Sequence, residues 1–206
     1  MSHNAFDRLT ELFERFPGIG PRQARRFVFH LLTENRQLVD ELSKLVGQVK
    51  DAMSECQSCF RFFAKNGGGS QCSICTDTER DPSLLMVLER DADMSPLEKS
   101  GTYEGYYFVL GGTIPLLHTE ESKKLRGGAL KVIVENRIKN GLKEVILGFA
   151  VNPDGENTSR YVESILAPWV LKGELKVSVL GRGLSTGSEL EYADPETIKN
   201  ALYNRH

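Results

Sequence analysis

The sequence CQSCFRFFAKNGGGSQCSIC, residues Cys56–Cys75, contains every cysteine of the 206-residue chain. The cysteines form two C-x2-C pairs that are separated by twelve residues. Each pair can turn around one ion, and four thiolates close a tetrahedral site that suits zinc in a structural rather than a catalytic role. We therefore predict one structural zinc ion per chain, held by Cys56, Cys59, Cys72 and Cys75.

Two other uses of these cysteines compete with a metal site. A redox C-x-x-C motif needs only one pair and a strand–helix context that this segment does not offer. Two disulfides would require an oxidising compartment. The N-terminal sequence MSHNAFDRLTELF contains acids and no continuous apolar run, so we expect no signal peptide, and no stretch approaches the length of a membrane span. A cytoplasmic, reducing location is therefore expected, and it favours thiolates bound to metal.

The composition is that of a soluble globular protein. Hydrophobic residues make up 40% and charged residues 26% of the chain, which has room for one or two modest domains. The formal net charge is −2, so the whole molecule is not a basic nucleic-acid binder. Any affinity for DNA must come from uneven distribution of charge along the chain.

The N-terminal region is predicted to be helical and to contain a glycine-rich hairpin. An amphipathic helix over residues 4–16 is followed by FPGIGPR, and Pro21 suits the first turn of a second helix. Gly18 and Gly20 let the backbone approach a ligand, and the amides at the start of the second helix suit a phosphate. A third helix, from about Asn35 to Met53, is expected to serve only for packing.

The hairpin and second helix are locally basic. Residues 15–33 contain four arginines and no acid. This bias fits either a solvated basic face or sequence-independent contact with a nucleic-acid backbone. The motif PGIGPRQARR resembles a helix-hairpin-helix DNA-binding element, so the candidate DNA-binding residues are Gly18, Gly20, Arg22, Arg25 and Arg26.

After Cys75 the pattern changes to alternating strands and helices, which predicts an α/β layer with a parallel sheet. The glycines at 111–112, 127–128 and 141 are read as turns. The predicted strands are 84–88, 106–110, 145–151 and 175–180, and the predicted helices are 91–99, 122–140 and 158–171.

Three carboxylates follow two of these strands. Glu89 comes just after the first strand, and Asp154 and Glu156 follow the third. Functional groups in open α/β sheets gather beyond the carboxyl ends of the strands, where such acids can bind Mg²⁺ and position a phosphate. Alternatively, Asp154 and Glu156 cap the next helix and Glu89 is solvated. The spacing leaves both interpretations open.

The C-terminal sequence GRGLSTGS, residues 181–188, is rich in glycine but lacks the lysine of a phosphate-binding loop. We expect a turn that leads to a short C-terminal arm, with residues 197–202 helical.

The order of these motifs resembles that of the RecR family of bacterial recombination mediators. The resemblance covers nearly the whole chain. It rests on FPGIGPRQARRFVFHLL, the four cysteines, LLMVLERDAD, YYFVLGG, EVILGFAVNPDGENT and GRGLSTGSELEYAD.

This resemblance implies a mixed α+β architecture. Its parts are a helix-hairpin-helix region (1–55), a four-cysteine zinc finger (56–75), a Toprim domain with a parallel sheet (80–180) and a C-terminal arm (181–206). Toprim enzymes bind Mg²⁺ with a glutamate and an Asp-x-Asp pair. Glu89 matches the glutamate, whereas Asp154-Gly155-Glu156 matches the pair only approximately.

The resemblance also implies a function without turnover. RecR-like proteins form ring-shaped tetramers, bind DNA, and act with RecO or RecF to help load RecA onto single strands covered by SSB. We therefore expect a DNA-repair mediator that forms a homo-oligomer, from a dimer to a tetrameric ring, and has no catalytic residue. The alternative is a Mg²⁺-dependent Toprim nuclease or nucleotidyl-transfer enzyme, which the sequence leaves open because a nuclease needs only the metal site.

Two segments depart from the family pattern. The loop between the cysteine pairs contains an insertion, Asn66–Ser70. The segment IPLLHTEESKKLRGG after Gly112 lacks the S-P…G-I-G-P run expected there, so the role of residues 113–128 is open.

Overall fold

The computed structural model describes residues 4–65, 68–116, 123–181, 187 and 193–203. The chain divides into two compact units, Met1–Ser54 and Glu55–His206. Most of the predicted turn at 181–188 lies outside the described residues. No described helix combines the length and the apolar character that crossing a membrane requires.

The first unit contains three helices, α1 (Ala5–Phe13), α2 (Pro21–Thr33) and α3 (Arg36–Ala52). Asn4 and Asn35 cap α1 and α3, because each side chain accepts a hydrogen bond from a first-turn amide, at 2.8 Å and 2.9 Å. Helices α1 and α2 pack through edge-to-face aromatic pairs, with ring centroids 5.0 Å apart for Phe6–Phe29 and 5.6 Å apart for Phe13–Phe27. The first helix ends three residues before the predicted position 16, where the hairpin turn begins.

Helix α3 has an apolar face that the described residues leave uncovered. None of its residues is buried. The packing role expected of this helix is therefore not found in the described part of the chain. The large apolar residues of the face are between 43% and 65% exposed: Leu38, Leu42, Leu45, Val46 and Val49.

The second unit is built on a parallel sheet, as the alternating pattern predicts. Its strands are β3 (Asp81–Leu88), β4 (Gly105–Val109), β5 (Glu144–Gly148) and β6 (Lys176–Val179), in the order β4-β3-β5-β6. Two shorter strands, β1 (Met53–Glu55) and β2 (Phe62–Ala64), form a separate two-stranded sheet. The helices are α4 (Ser73–Thr76), α5 (Met94–Ser100, after a 3-10 turn at Asp91–Asp93), α6 (Gly127–Ile138), α7 (Pro153–Leu171) and α8 (Pro195–Tyr203).

The two faces of the parallel sheet have different covers. Successive residues of a strand point to opposite faces. Leu85 and Val87 of β3 belong to a cluster with Leu130 of α6 and Val162 of α7. Met86, also of β3, and its neighbours on the other face share a second buried cluster with three of the four cysteines. The cysteine segment thus covers the sheet face that a second helical layer covers in other α/β folds.

Two helices begin at places that the sequence pattern did not indicate. Helix α6 begins at Gly127 rather than at residue 122, and Gly127 and Gly128 are helical rather than a turn. Helix α7 begins at Pro153 rather than at residue 158, because Asn152 caps it by accepting a hydrogen bond from the amide of Gly155 at 2.8 Å. The third strand accordingly ends at Gly148, three residues before the predicted end.

Gly155 is required where it stands, because a Cβ atom there would collide with the backbone carbonyl oxygen of Ala150. We predict that Gly155→Ala lowers the free energy of unfolding by roughly 1–3 kcal/mol, the usual cost of forcing an extra carbon into a packed site. Urea unfolding followed by circular dichroism measures this.

The matched control is Gly128→Ala in the first turn of α6, where a new Cβ atom meets nothing within 4 Å. Since alanine is the better helix former, we expect this variant to be unchanged or stabilised by up to about 1 kcal/mol. Equal effects of the two substitutions would contradict the steric argument.

Candidate metal centre and nucleic-acid interface

The four cysteines lie together in a cluster of metal-binding geometry. Their sulfur atoms all lie within 4.8 Å of one another, and the Sγ atoms of Cys59 and Cys72 are 3.6 Å apart. Cys56, Cys59 and Cys72 are buried, whereas Cys75 is partly exposed. Within the described part of the chain, this is the only group of three or more His, Cys, Asp or Glu side chains arranged to hold a metal ion.

The backbone around the first cysteine pair forms a tight knuckle. The amide of Phe60 donates to the carbonyl of Cys56 at 2.9 Å, and the amide of Cys56 donates to the carbonyl of Arg61 at 2.8 Å. Phe60 has a positive φ of 62°, which is uncommon for a residue with a side chain. The amide of Gln57 donates to the carbonyl of Ser70 at 3.0 Å, so the far end of the inserted loop returns to the knuckle.

The sulfur atoms are crowded enough to shift one another's proton affinities. The hydrogen bond with Cys72 is the main cause that raises the pKa of the Cys59 thiol, and burial adds to it. The hydrogen bond from Cys59 in turn lowers the pKa of Cys72. Four thiolates at this spacing need a cation to balance their charge, and a closed set of four sulfurs suits a soft or borderline metal ion such as zinc. The residues therefore fit a structural metal ion.

The knuckle is joined to the parallel sheet by direct hydrogen bonds. The amide of Val109, at the end of β4, donates to the carbonyl of Cys59 at 2.8 Å. The amide of Phe62 donates to the carboxylate of Asp91 at 2.8 Å. Metal binding, the knuckle and the end of the sheet therefore form one packed region.

Arg126 strengthens this junction and was not singled out from the sequence. Its guanidinium donates to the carbonyl of Val109 at 3.1 Å and forms an ion pair with Glu55. It also lies over the ring of Phe60, 5.2 Å from the centroid, in a cation–π contact. An arginine just before a helix carries no sequence signal for these roles, because its partners lie between 17 and 71 positions away from it along the chain.

The candidate DNA-binding residues lie in the first unit, at the hairpin between α1 and α2. Gly18 has a φ of +75°, which explains the glycine in the turn. Gly20 is the N-cap of α2, and Pro21 is its first residue. Among the described residues, no side chain caps this helix, so its first amides face outward and can bind an anion.

The three arginines of the motif are all exposed. Arg22 and Arg26 are four residues apart in α2 and so share one helix face, and Arg25 is adjacent. Together with other residues of the two helices they line a groove of about 570 Å³. The acids of this groove are Asp7 and Glu11 of α1 and Glu14, the residue that follows α1. The arginine-rich stretch thus faces acids that precede it in the chain. These acids lie outside residues 15–33, the range over which the charges of the sequence were counted.

The three candidate Mg²⁺ ligands are not brought together as a metal-binding group in the described residues. The Glu89 side chain is only 13% exposed and forms an ion pair, without a hydrogen bond, with Arg90. The alternative interpretation of the sequence, in which Glu89 is solvated, is therefore wrong. Asp154 and Glu156 lie in the first turn of α7, whose cap is Asn152, and Asp154 accepts a hydrogen bond from the amide of Leu116 at 3.1 Å.

Comparison with known proteins agrees with this arrangement. Family models described as "RecR, helix-hairpin-helix", "Toprim domain" and "RecR, C-terminal" match residues 6–50, 83–181 and 183–206. The curated protein "Recombination protein RecR" of Anaplasma phagocytophilum is 34% identical over 199 residues, which cover 97% of each chain. The chain belongs to the RecR family. RecR proteins of Ruegeria pomeroyi (36% identical) and Gloeothece citriformis (35% identical) match over 97% and 96% of this chain and 94% of their own.

Membership of the RecR family confirms the resemblance seen in the sequence motifs. The helical N-terminal region, the cysteine cluster and the Toprim domain with its parallel sheet follow one another as that resemblance implied.

We predict that Cys59→Ser abolishes stable metal binding and lowers the thermal unfolding midpoint of the second unit. Cys59 is fully buried among residues of the sheet, and zinc binding in small four-cysteine sites supplies on the order of 10 kcal/mol of apparent free energy. Elemental analysis and thermal unfolding, each with and without a chelator, measure the two effects.

Gln57→Ala serves as the control, since Gln57 is exposed and lies between Cys56 and Cys59. It should retain one metal ion per chain and the unfolding midpoint. Absence of metal from wild-type protein purified without chelator would refute the metal centre.

Proposed function

We propose that this chain is a DNA-binding recombination mediator in DNA repair and that it acts without catalytic turnover. The observation that carries the proposal is the uncapped start of α2, with Arg22, Arg25 and Arg26 exposed on one helix that follows a glycine turn. Backbone amides and arginines are the groups with which proteins contact phosphates without reading the bases. Gly18 and Gly20 allow the close approach that such contacts need.

The metal at Cys56, Cys59, Cys72 and Cys75 is proposed to be zinc, one ion per chain. All four sulfurs bind the ion in this proposal, so a tetrahedral ion has no open coordination position for a substrate. The ion therefore stabilises the fold and does not act on DNA.

The chain is further proposed to form a homo-oligomer, between a dimer and a tetrameric ring. One hairpin supplies too few phosphate contacts for tight binding, whereas several linked hairpins bind with a raised effective concentration. The uncovered apolar face of α3, with residues such as Leu45 and Val46 more than half exposed, supports an association of this kind. Sedimentation at several protein concentrations tests it, and a monomer throughout would contradict it.

The resemblance to the RecR family supports the remaining parts of the proposal. These are action with RecO and RecF to help load RecA onto SSB-covered single-stranded DNA, and a location in the cytoplasm. The division into a DNA-binding region (1–55), a zinc finger (56–75), a Toprim domain (80–180) and a C-terminal arm (181–206) is proposed on the same basis. Pull-down of the purified chain with purified RecO or RecF tests the partner assignment.

We predict that the double variant Arg22→Glu/Arg26→Glu weakens binding to single- and double-stranded DNA alike, by roughly tenfold or more, because charge-assisted contacts to phosphate are lost. The slope of log affinity against log salt should fall by roughly one unit per lost contact. Titration of DNA of several sequences at several salt concentrations measures both.

A charge-matched control is Lys131→Glu/Lys172→Glu, which changes the net charge equally through exposed residues of the second unit. It should retain most of the affinity and nearly the wild-type salt slope. Metal content and sedimentation of both variants should match wild type. If the hairpin variant assembles normally and binds DNA with unchanged affinity and slope, the DNA-binding site lies elsewhere.

The alternative function is a Mg²⁺-dependent Toprim nuclease or nucleotidyl-transfer enzyme that uses Glu89, Asp154 and Glu156. Its support is the match to the Toprim domain and the position of Glu89 just after β3. Against it stand the ion pair of Glu89 with Arg90 and the hydrogen bond that Asp154 accepts from Leu116.

We predict that wild-type protein and Glu89→Gln both bind labelled DNA in the presence of Mg²⁺ and that neither cleaves or joins it. The reason is that the three carboxylates do not form a metal-binding group in the described residues. Gel analysis of the same reactions used for binding measures this. Mg²⁺-dependent cleavage by wild type that disappears in Glu89→Gln would replace the mediator with an enzyme.

A further inference from the structure

The segment that follows β4 departs from the expected family sequence, and the structure shows where its first residues lie. Residues 111–116, GGTIPL, are called the strap here. At its start, the amide of Gly111 donates to the carbonyl of Glu89 at 3.0 Å. Gly111 and Gly112 have φ values of +97° and +146°, so both glycines are needed to turn the chain away from β4.

The other end of the strap is held against the first two turns of α7. The amide of Ile114 donates to the hydroxyl of Thr158 at 2.9 Å, and the side-chain amide of Asn157 donates to the carbonyl of Ile114 at 3.2 Å. The amide of Leu116 donates to the carboxylate of Asp154 at 3.1 Å. The residue between the two donors is Pro115, which has no amide hydrogen to satisfy.

The burial of these groups shows that the contact is closely packed. The side chains of Ile114 and Thr158 are 4% and 0% exposed. The Thr158 hydroxyl also donates to the carbonyl of Asp154 at 2.6 Å, so it acts as donor and acceptor at once. Without the strap, this buried hydroxyl would lose a hydrogen-bond partner.

The path of the strap follows from the order of the strands. It leaves the carboxyl end of β4 and reaches α7, which follows β5, and β3 lies between β4 and β5 in the sheet. Neighbouring strands are about 4.8 Å apart, so the strap crosses roughly 10 Å, a distance that three or four extended residues cover. It therefore passes the carboxyl end of β3, where Glu89 stands and where ligands of open α/β sheets bind.

We propose that Asp154, Asn157 and Thr158 form a clamp that holds the strap across the carboxyl end of β3, and that Asp154 serves this clamp rather than a Mg²⁺ ion. Asp154 is a positioning residue in this arrangement, because its carboxylate binds the amide of Leu116. The clamp uses Asp154 as a hydrogen-bond acceptor, whereas a metal site would use its negative charge. This difference makes the two roles separable by experiment.

The experiment is hydrogen exchange by mass spectrometry on peptides that contain residues 113–116, with and without millimolar Mg²⁺. The variants are Asp154→Ala, which removes the acceptor, and Asp154→Asn, which keeps an acceptor oxygen and removes the charge. Thr158→Val and Thr158→Ser form a second pair, in which only serine keeps the hydroxyl. Glu163→Ala, an exposed acid of the same helix, is the control.

We expect Asp154→Ala and Thr158→Val to speed exchange of the strap on the order of threefold to tenfold, as loss of one hydrogen bond implies. Exchange of β3 peptides should not change, which separates a local release from general destabilisation. Asp154→Asn, Thr158→Ser and Glu163→Ala should behave as wild type, and Mg²⁺ should have no effect.

Two results would overturn the proposal. Unchanged exchange of the strap in both Asp154→Ala and Thr158→Val would show that the clamp does not hold it. Slowing of exchange by Mg²⁺ in wild type, lost equally in Asp154→Asn and Asp154→Ala, would show that the charge of Asp154 binds a cation instead.

Discussion

The fold of the second unit depends on how the second face of a parallel sheet is covered. Parallel sheets are stable only when both faces are buried. Helices α6 and α7 cover one face, and on the other Met86, Leu88, Tyr107 and Val109 pack with Cys56, Cys59 and Cys72. A segment of this length has little core of its own, so a metal ion held by the four sulfurs would fix its shape. In four-cysteine peptides, zinc binding of about 10–16 kcal/mol is as large as the whole net stability of a typical domain, about 5–15 kcal/mol. Because the cysteines pack on the sheet, removal of such an ion would affect the sheet and not only the knuckle.

The first unit has a different physical problem, because the arginines of its hairpin are exposed and lie near acids. Three arginines on α2 face a groove that also contains acids of α1, so the field at the hairpin is weaker than the arginine count alone indicates. Exposed charges are screened by salt over about 10 Å. The amides at the start of α2 add a partial positive charge, and its position is fixed because it belongs to the backbone. Specific assembly is what can turn several such weak sites into one strong one, and the uncovered face of α3 is the part of this unit suited to association.

Much of the architecture was predictable because its signals are local. The C-x2-C pairs, the two hairpin glycines and the alternating apolar runs each fix structure within a few residues. The start of α7 has a local signal that the predicted bounds did not use, because Asn152-Pro153 and the acids Asp154 and Glu156 are typical of a helix start. The start of α6 was not predictable, because Gly127 serves close packing rather than a turn. A Cβ atom on Gly127 would collide with the ring hydroxyl of Tyr161, a residue more than thirty positions away. The contacts of Arg126 with Glu55 and Phe60 and the bond between Leu116 and Asp154 are equally long-range, and no spacing rule reveals them.

The acidic residues show why a motif alone does not establish chemistry. Catalysis with Mg²⁺ needs carboxylates that converge on one point and keep their charges available. Glu89 is paired with a neighbouring guanidinium, and Asp154 accepts a hydrogen bond from a backbone amide. Asp154 is thus satisfied by the chain itself, whereas the Oε1 atom of Glu89 is buried beside the Arg90 guanidinium without a hydrogen bond. The hydrogen bond from the amide of Leu116 to Asp154 instead joins the segment after β4 to the helix after β5, so at least one of the three carboxylates serves the packing of the chain.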